Sequence, residues 1–427
     1  MILLLVDDRP TLAAPPTGLA AVIAVFLGTD LPVRIDCYDG STLGPPEATT
    51  RIVVRSADAL RYILTAPGEL GFARAYVAGE IDIDGDVFDA LALRDRIPHP
   101  KVSPREWLAL LREAGAGGLR LPPVPAEEMH PHGRLHSKER DAAAIAHHYD
   151  VSNEFYELVL GPSMTYSCAV FPERDATLEA AQANKYDLIA QKLALRPGMR
   201  LLDVGCGWGS MAMHAARHYG VQAVGVTLST RQAAFARRAV QRAGLADQVE
   251  VRVQDYRDVQ DGPFDAISSI GMFEHVGARM LDEYFTRLCA LLVPRGRLLN
   301  HGIARIAGRP AIGRRSFVGR YVFPDAELHE VGSVVSRVQR AGFEVRHVEG
   351  LREHYAKTLR HWVANLEDHW TEAVNLVGPG RARVWRLYMA GSAIGFEAGR
   401  IQIHQLLATK NDRLGHSGMP LRPDWVA

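Results

Sequence analysis

The stretch Leu201–Ser210, with the sequence LLDVGCGWGS, restricts the fold of this chain more than any other feature. An apolar run ends at Val204, and Gly205, Gly207 and Gly209 follow at alternate positions before a helical pattern begins. Glycines at this spacing let the backbone turn sharply and approach a ligand closely, at the carboxyl edge of a parallel sheet where such folds bind. A plain tight turn between a strand and a helix would use the same glycines, so the loop alone does not establish a binding site.

The form of the loop, DxGxGxG, separates it from other nucleotide-binding loops. It differs from the dinucleotide fingerprint GxGxxG, and no P-loop lysine follows it. It resembles the first motif of class I S-adenosylmethionine-dependent methyltransferases, in which the glycines pack against the amino-acid half of the cofactor. The next strand pattern ends in Gly225–Ser229 and lacks the acidic residue that often binds ribose hydroxyls.

From about residue 140 onward the chain alternates between strand and helix patterns, as a doubly wound parallel sheet requires. We therefore expect an α/β fold with a doubly wound, mostly parallel sheet of the Rossmann-like class I methyltransferase type. An insertion of about residues 307–326 interrupts the later part, and helical patterns dominate from about Ala356 to the end. The predicted strands are RLLDVG, QAVGVTL, VEVRVQD, FDAISSIG, RLLNHGI and FEVRHVE.

The length of 427 residues favours two domains, because a single hydrophobic core usually stops growing at about 250–300 residues. Residues 1–115 mix short strand patterns, VRIDCYDG and TRIVVRSA, with the helical segment ADALRYILTA, which predicts a smaller N-terminal α+β domain. A capping box at Ser103 predicts a further helix there. A proline-rich linker over residues 116–140 then leads to the second domain, residues 141–427.

Composition limits the partners of the chain. Lys+Arg and Asp+Glu both total 49, so no overall field would attract nucleic acid, and any membrane contact must be local. No apolar stretch approaches the roughly 20 residues that span a bilayer, and the start lacks the basic segment of a signal peptide, which predicts a cytoplasmic protein. The four scattered cysteines form no CxxC pair, and the linker histidines His130, His132 and His136 lack further ligands, so we expect no metal.

Several motifs surround the glycine loop in a fixed order. HHYDVSNEFY begins at His147 and MTYSCA at Met164, whereas QDYRD, GMFEHVG and HYAKTL begin at Gln254, Gly271 and His354. Together with GCGWG and GVTLS, they resemble the cyclopropane-fatty-acyl-phospholipid synthase family from about residue 140 nearly to the end. The first domain also resembles that of the full-length phospholipid-acting members, which the mycolic acid relatives lack. The resemblance implies a phospholipid substrate, a second domain with lipid-substrate insertions, and a lipid-binding or dimerisation role for the first domain.

The resemblance also implies which residues bind S-adenosylmethionine. They lie in the YSC motif, the glycine loop, the segment after the second strand and the segment after the third strand. The implied residues are Tyr166, Ser167, Asp203, Gly205, Gly207, Gly209, Thr227, Leu228, Gln232 and Tyr256.

Transfer of a methyl group to an alkene also needs a base. An isolated alkene is a weak nucleophile, so the donor must be a sulfonium held in line with the double bond in a dry pocket. Attack leaves a carbocation, and ring closure then requires the new methyl group to lose a proton. In the resembled family a bound bicarbonate ion is the base, which implies catalytic and bicarbonate-binding roles here for Cys168, Glu274, His301 and Tyr355, with the backbone of Ile303.

These side chains also have plainer interpretations. Cys168 would fit as a small buried hydrophobe, His301 as a hydrogen-bonded core histidine and Tyr355 as a packed aromatic residue. A carboxylate such as Glu274 is harder to explain in this way, because its burial without a partner is unfavourable.

We therefore expect an enzyme that transfers a methyl(ene) group from S-adenosylmethionine to the double bond of an unsaturated phospholipid acyl chain, giving a cyclopropane fatty acid. A hydride shift and proton loss would instead give a methylene-branched chain, which a separate reductase could saturate. A methyltransferase for a small polar molecule or RNA, and a non-catalytic lipid-binding protein, are the other classes. The family resemblance also implies peripheral association with a membrane surface and leaves a homodimer open.

Overall fold

The computed structural model describes residues 16–96, 122–129, 140, 152–308, 313, 316–423 and 425. The chain divides into two compact units, Met1–Pro125 and Ala126–Ala427. The helix predicted after Ser103, the three linker histidines and the first part of the HHYDVSNEFY motif lie outside the described residues.

The first unit contains a small mixed sheet. Its strands are β1 (Arg34–Cys37), β2 (Thr42–Leu43), β3 (Arg51–Val54) and β4 (Ile81–Asp84), in the order β2-β1-β3-β4. β1 and β3 are parallel, and the other pairs are antiparallel. The described helices are α1 (Gly18–Leu27), α2 (Ala57–Thr65), α3 (Glu69–Val77) and α4 (Val87–Ala92), followed by a 3₁₀ turn at Leu93–Arg96. Both predicted strands and the predicted helix are present, so the α+β class is confirmed.

The second unit is built on a larger, mostly parallel sheet. Its strands are β5 (Arg200–Val204), β6 (Gln222–Thr227), β7 (Val249–Val253), β8 (Phe264–Ile270), β9 (Leu292–Arg305), β10 (His329–Glu330), β11 (Glu344–Gly350) and β12 (Ile401–Thr409). The order is β11-β12-β9-β8-β5-β6-β7, and β10 pairs with β9. Strands β5 to β9 are parallel to their neighbours within this set. The predicted doubly wound α/β fold is confirmed.

Helices cover both faces of this sheet. Before β6 lie α5 (Asn153–Leu160), α6 (Leu178–Leu193) and α7 (Ser210–Tyr219). After it come α8 (Thr230–Arg242), α9 (Leu281–Leu291), α10 (Phe317–Tyr321), α11 (Val331–Arg340), α12 (Arg352–Asp368), α13 (Trp370–Val377) and α14 (Pro379–Glu397). Among the helices that the structure describes, none is both long and apolar enough to cross a bilayer.

Strand β5 shows how the sequence produces a sheet that is covered by helices on both faces. Its side chains alternate between two buried clusters: Leu201 packs with Ala212 of α7, whereas Leu202 and Val204 pack with Phe285 of α9. A strand buried on both faces must be apolar along its whole length, which is the pattern of RLLDV. The chain then winds outward in opposite directions from β5, so the carboxyl edge between β5 and β8 forms the crevice in which such sheets bind ligands.

The expectation that helices dominate from Ala356 to the end is wrong for residues 401–409. After α14, strand β12 inserts between β9 and β11 and runs antiparallel to both. Its residues from Gln405 to Thr409 are buried. The helical patterns of α12 to α14 immediately precede this strand, and its pairing partner on each side is distant in sequence, so the short alternation at its start was overlooked.

Candidate active site

A pocket opens at the carboxyl ends of β5, β6 and β8. It is a concave site at the edge where parallel sheets of this kind bind ligands. Nine of the ten residues predicted to bind S-adenosylmethionine line it; these are Tyr166, Ser167, Asp203, Gly205, Gly207, Thr227, Leu228, Gln232 and Tyr256. We call this the cofactor pocket.

The glycine loop forms one wall of the cofactor pocket. Gly205 and Gly207 have φ values of +77° and +55°, in the left-handed region that favours glycine. A Cβ on Gly205 would lie 2.9 Å from Cγ of Met272, which also lines the pocket. Gly209 is not among the lining residues; it precedes α7, and a Cβ there would lie 3.2 Å from Ala236. Its position therefore allows the close packing of α7 against α8.

Two buried ionisable groups are associated with this pocket: Asp203 lines it, and Lys185 contacts the lining residue Ser167. Asp203 accepts a hydrogen bond from Ser268 Oγ at 2.7 Å, and burial raises the pKa of Asp203 to about 6. Lys185 Nζ donates to Ser167 Oγ at 2.8 Å, and burial lowers the pKa of Lys185 to about 7. Both charges therefore have protein partners before any ligand binds.

The ends of β6 and β7 supply polar groups of a different kind. Thr227 donates to Gln232 Oε1 at 3.0 Å, where many dinucleotide-binding folds have an acidic residue. Beyond β7, Tyr256 packs edge-on against Tyr284 at 5.0 Å between ring centroids. Arg257 beside it lines the pocket, although sequence reasoning did not select it, and pairs with Asp255 through two contacts of 2.8 and 2.6 Å.

Aromatic rings surround Tyr166. Its ring stacks on Trp362 at 5.2 Å and also contacts Trp385 and Tyr156, with centroids 5.7 and 6.0 Å away. The Tyr166 hydroxyl donates to Tyr388 at 3.4 Å. These rings make one side of the site dry and rich in π surfaces, which attract positive charge.

Glu274 lies in a 3₁₀ turn, Phe273–His275, directly after β8. Its Oε1 accepts a hydrogen bond from the Ile303 backbone N–H at 2.7 Å. Its Oε2 is buried and has no hydrogen-bond partner within the part of the chain that the structure describes. Burial raises the pKa of Glu274 to about 7, so this carboxyl group can exchange a proton near neutral pH.

Gly302 explains how the turn reaches this position. A Cβ on Gly302 would lie 1.9 Å from Cε1 of Phe273, so the phenyl ring occupies the space that any other residue would fill. Because Glu274 follows Phe273, the missing side chain at Gly302 lets the carboxyl group approach the Ile303 backbone.

His301 lies on β9, two residues before Ile303, and is 1% exposed. Its Nδ1 lies 3.3 Å from Nε2 of Gln405 on β12. Its Nε2 is buried without a hydrogen-bond partner among the described residues. Burial, reinforced by the positive charges of Lys185 and Lys192, lowers the pKa of His301 well below its usual value, so the ring is neutral at physiological pH.

Cys168 and Tyr355 join this group through Leu351. Cys168 Sγ donates to Leu351 O at 3.7 Å, and the Tyr355 backbone N–H donates to the same oxygen at 3.2 Å. Leu351 N–H in turn donates to Ile403 O at 3.0 Å, and Ile403 on β12 pairs with Ile303 on β9. Cys168 and Tyr355 are thus connected through Leu351 and β12 to the strand that carries His301 and Ile303, and we call Cys168, Glu274, His301, Ile303 and Tyr355 the buried polar site.

The buried polar site adjoins the cofactor pocket. Met272, His275 and Val276, which flank Glu274 in sequence, line the pocket, and Gly271, which also lines it, donates its N–H to His301 O at 2.8 Å.

Sequence reasoning missed two residues beside the buried polar site. Burial raises the pKa of Tyr388 to about 12, and the negative charge of Glu274 adds to the increase. Gln405 was missed because its segment was not predicted as a strand. Alternation of apolar and polar residues in IQIHQ was the available signal for that strand.

Comparison with known proteins shows which family this chain is similar to. The model of the family described as mycolic acid cyclopropane synthetase matches residues 136–406. A Mycobacterium tuberculosis protein named "Probable fatty acid methyltransferase" is 47% identical over 420 residues, which cover 96% of this chain and 98% of that protein. The Escherichia coli cyclopropane-fatty-acyl-phospholipid synthase is 33% identical over 364 residues, 85% of this chain and 88% of that enzyme.

Solved structures agree with the sequence comparison. The crystal structure of mycolic acid cyclopropane synthase CmaA1, complexed with SAH and CTAB, is similar with a TM-score of 0.59 and 36% identity. The match covers 62% of this chain and 97% of that one.

Proposed function

The chain belongs to the mycolic acid cyclopropane synthetase family and is an S-adenosylmethionine-dependent methyltransferase, and from that premise we propose its substrate and product. It transfers a methylene group from S-adenosylmethionine to the double bond of an unsaturated acyl chain in a phospholipid, and the product is a cyclopropane fatty acid. We propose that the nine predicted residues that line the cofactor pocket bind the cofactor. The residues of the buried polar site are those proposed for catalysis.

One observation carries this proposal: Glu274 Oε2 and His301 Nε2 are buried beside the cofactor pocket without hydrogen-bond partners among the described residues. Leaving a buried polar atom unpaired costs about 1–3 kcal/mol, and more for a charged group. Two such atoms in one dry site indicate that a polar ligand completes them.

A bicarbonate ion fits these two atoms. Its hydroxyl group would donate to Glu274 Oε2, and one of its oxygen atoms would accept from His301 Nε2. We assign Cys168 and Tyr355 to the same ion on the family resemblance, and the Ile303 N–H holds the other Glu274 oxygen. When bound, bicarbonate would supply a base for the carbon atom that must lose a proton.

The reaction combines the chemistry of the cofactor with two contributions from this chain, the aromatic rings around Tyr166 and the carboxyl group of Glu274. S-adenosylmethionine supplies the methyl group as a sulfonium; as the alkene electrons form the new C–C bond, the C–S bond breaks. The aromatic rings around Tyr166 exclude water and face the positive charge that develops on the acyl chain. Glu274 holds or accepts a proton at Oε2, which its raised pKa of about 7 allows. Loss of one proton from the new methyl group and closure of the second C–C bond then complete the cyclopropane.

The extent of the similarity supports a phospholipid acyl chain. The match to the Escherichia coli phospholipid enzyme covers 85% of this chain, which is more than residues 126–427 contain, so it extends into the first unit. The match to CmaA1 covers nearly all of that protein and leaves more than a third of this chain unmatched. We infer that the first unit serves the lipid substrate or dimerisation, and that the enzyme works at a membrane surface.

A methylene-branched product is the second candidate. The Mycobacterium tuberculosis relative with 47% identity has fatty acid methyltransferase in its name, with no mention of a cyclopropane. The same carbocation would give this product if a hydride shifted to the cationic carbon from the carbon that bears the new methyl group, and that methyl group then lost a proton. A separate reductase would then be the partner that saturates it.

The deciding experiment incubates the purified protein with methyl-¹³C-labelled S-adenosylmethionine and oleoyl phospholipid vesicles. NMR of the released fatty acids then distinguishes the isomers: cyclopropane protons support the synthase, and olefinic methylene protons support the branched product. Absence of label from the lipid would overturn both.

Matched variants connect the product to the buried polar site. His301→Gln should lose most of the activity, whereas His369→Gln, at an exposed histidine after α12, should retain it. Assays in buffer depleted of carbon dioxide test the anion: we expect turnover to fall and to recover when bicarbonate is added. Unchanged turnover would remove bicarbonate from the proposal. Co-sedimentation with vesicles at low salt tests membrane association.

A further inference from the structure

A buried row of polar side chains leads from the surface to His301. Lys192 is fully buried and pairs with Glu349, whose side chain is 36% exposed. Lys192 Nζ also donates to Gln405 Oε1 at 2.7 Å, and Gln405 Nε2 lies 3.3 Å from His301 Nδ1. We call Glu349, Lys192 and Gln405 the Gln405 relay. None of these three residues lines the cofactor pocket.

The ammonium group of Lys192 fixes the direction of the Gln405 amide. A protonated lysine has three donors and no acceptor, so the amide atom that it contacts must be the carbonyl oxygen. The NH₂ group of the amide therefore faces His301, and this group can only donate. Burial lowers the pKa of Lys192, and the carboxylate of Glu349 opposes this shift and favours the charged form.

The direction of the amide determines which nitrogen of His301 carries the proton. Since the Gln405 NH₂ group that faces His301 can only donate, Nδ1 of His301 must accept and is unprotonated. The ring is neutral because burial lowers its pKa, and the nearby Lys185, Lys192 and His404 lower that pKa further. The single proton of the neutral ring is therefore on Nε2, the atom that has no partner among the described residues.

We propose that Glu349, Lys192 and Gln405 are positioning residues that hold His301 as the Nε2–H tautomer, so that His301 donates a hydrogen bond to the anion in the buried polar site. This inference rests on the proposed function. His301 orients the anion and does not take up the proton that the substrate loses. The proton-accepting groups of the site are then the anion and Glu274.

The tautomer can be measured without turnover. In protein labelled with ¹⁵N-histidine, two-bond correlation spectra distinguish protonated from unprotonated ring nitrogens, and loss of one set of signals in His301→Gln assigns His301 among the 17 histidines. We expect an unprotonated Nδ1, a protonated Nε2 and no titration between pH 6 and 9. A protonated Nδ1 in the unaltered protein would overturn the proposal.

Two substitutions should move the proton. In Gln405→Glu the carboxylate can only accept, so the proton should transfer to Nδ1. In Lys192→Met the amide can turn over and offer its oxygen to Nδ1, so signals of both tautomers should appear. Because Met matches the length of the Lys stem, this variant keeps the test valid if Gln405→Glu does not fold. If each folded variant gives the wild-type His301 signals, the relay does not set the tautomer.

A surface pair on β11 provides the matched control. Glu349→Gln removes the outer end of the relay, whereas Glu344→Gln alters a carboxylate on the same strand that contacts Arg346 and Asn411. Only the first should change the His301 signals. Unchanged signals in Glu349→Gln would remove Glu349 from the relay.

The bicarbonate response connects the tautomer to function. Loss of a hydrogen bond to a charged group should raise the bicarbonate concentration for half-maximal activity about 10-fold in Gln405→Glu, with binding of S-adenosylhomocysteine unchanged. A wild-type bicarbonate response in a variant with a shifted tautomer would disprove the role. If the unaltered protein transfers no label to lipid, the proposed function fails, while the spectra still decide whether the relay sets the tautomer.

Discussion

The cofactor pocket and the buried polar site share one edge of the sheet, but their charged groups are arranged differently. In the cofactor pocket Asp203 has Ser268 and Lys185 has Ser167 as hydrogen-bond partners. In the buried polar site Glu274 Oε2 and His301 Nε2 have none among the described residues. Under the proposed function, the first is arranged in advance to bind, whereas the second is completed by its anion. Substitutions in the first should therefore change affinity, and substitutions in the second should change turnover.

The largest expected effect is on turnover in Glu274→Gln. The amide keeps an oxygen that can accept from Ile303 N–H, but it cannot take up a proton. We expect turnover to fall by about 100-fold to 10,000-fold, with S-adenosylhomocysteine affinity nearly unchanged. Glu283→Gln, at an exposed position in α9, is the control. Single-turnover kinetics and calorimetry measure the two quantities, and a loss confined to affinity would break the distinction between the two regions.

The second prediction concerns stability and pH. The pKa of Glu274 is raised from 4.5 to about 7, so between these pH values the unfolded chain binds fewer protons than the folded one. Stability should therefore fall as the pH rises from 4.5 to 7, by about 3 kcal/mol from this group. Denaturant unfolding in carbon dioxide-free buffer should show a shallower pH dependence for Glu274→Gln. Asp203, whose pKa is also raised by burial, contributes a pH dependence of the same sign to the unaltered protein and to Glu274→Gln, so the difference between them is due to Glu274. An equal pH dependence of the unfolding free energy in both proteins would contradict a buried ionisable group at position 274.

Two glycine substitutions give the third prediction. Gly302→Ala places a methyl group against the Phe273 ring and should destabilise the protein by about 1–3 kcal/mol and reduce turnover, because Glu274 moves with Phe273. Gly391→Ala, in exposed and open surroundings within α14, should be stabilising by about 0.5–1 kcal/mol. Thermal unfolding compares the two. Equal effects would mean that the close approach at Gly302 does not position the turn.

The cofactor pocket was far more predictable from the sequence than the groups around the buried polar site. Its residues come from short motifs at the ends of strands. Asp203 and Thr227 lie at the carboxyl ends of β5 and β6, and the glycines follow β5 directly. Because each strand end is local, the strand–turn–helix pattern indicated the fold, and the family resemblance of the short motifs then selected the residues of the pocket.

The surroundings of His301 depend on contacts that no local pattern contains. Gln405 reaches His301 only because β12 pairs with β9 over more than one hundred residues of intervening chain, and Lys192 reaches Gln405 from α6. A buried lysine inside a helical pattern looks like a surface residue in the sequence. The family resemblance predicted His301 itself. Its partner Gln405, which we propose determines which ring nitrogen is protonated, could be found only from the order of the strands in the sheet.

The fourth prediction returns to the cofactor pocket. Asp203→Asn removes a carboxylate that lines a pocket for a cationic ligand, while its oxygen can still accept from Ser268. We expect S-adenosylmethionine affinity to weaken about 10-fold and turnover at saturation to change little. Asp265→Asn is the control, because that carboxylate accepts from Arg200 N–H at the opposite end of β5. Calorimetric titration of both variants measures affinity, and a large change in saturated turnover would indicate that Asp203 also acts in the reaction.

The smallest expected effect is at Cys168. Its thiol is fully buried, burial raises its pKa, and it donates to the backbone oxygens of Ala169 and Leu351. It therefore stays protonated and serves as a neutral donor, whose loss in Cys168→Ala should reduce turnover by about 2-fold to 10-fold. Cys168→Ser retains a donor and should lie between that variant and the unaltered protein. Assays at several bicarbonate concentrations measure the change, and complete inactivity of Cys168→Ala with an intact fold would indicate that the thiol contacts the reacting groups directly.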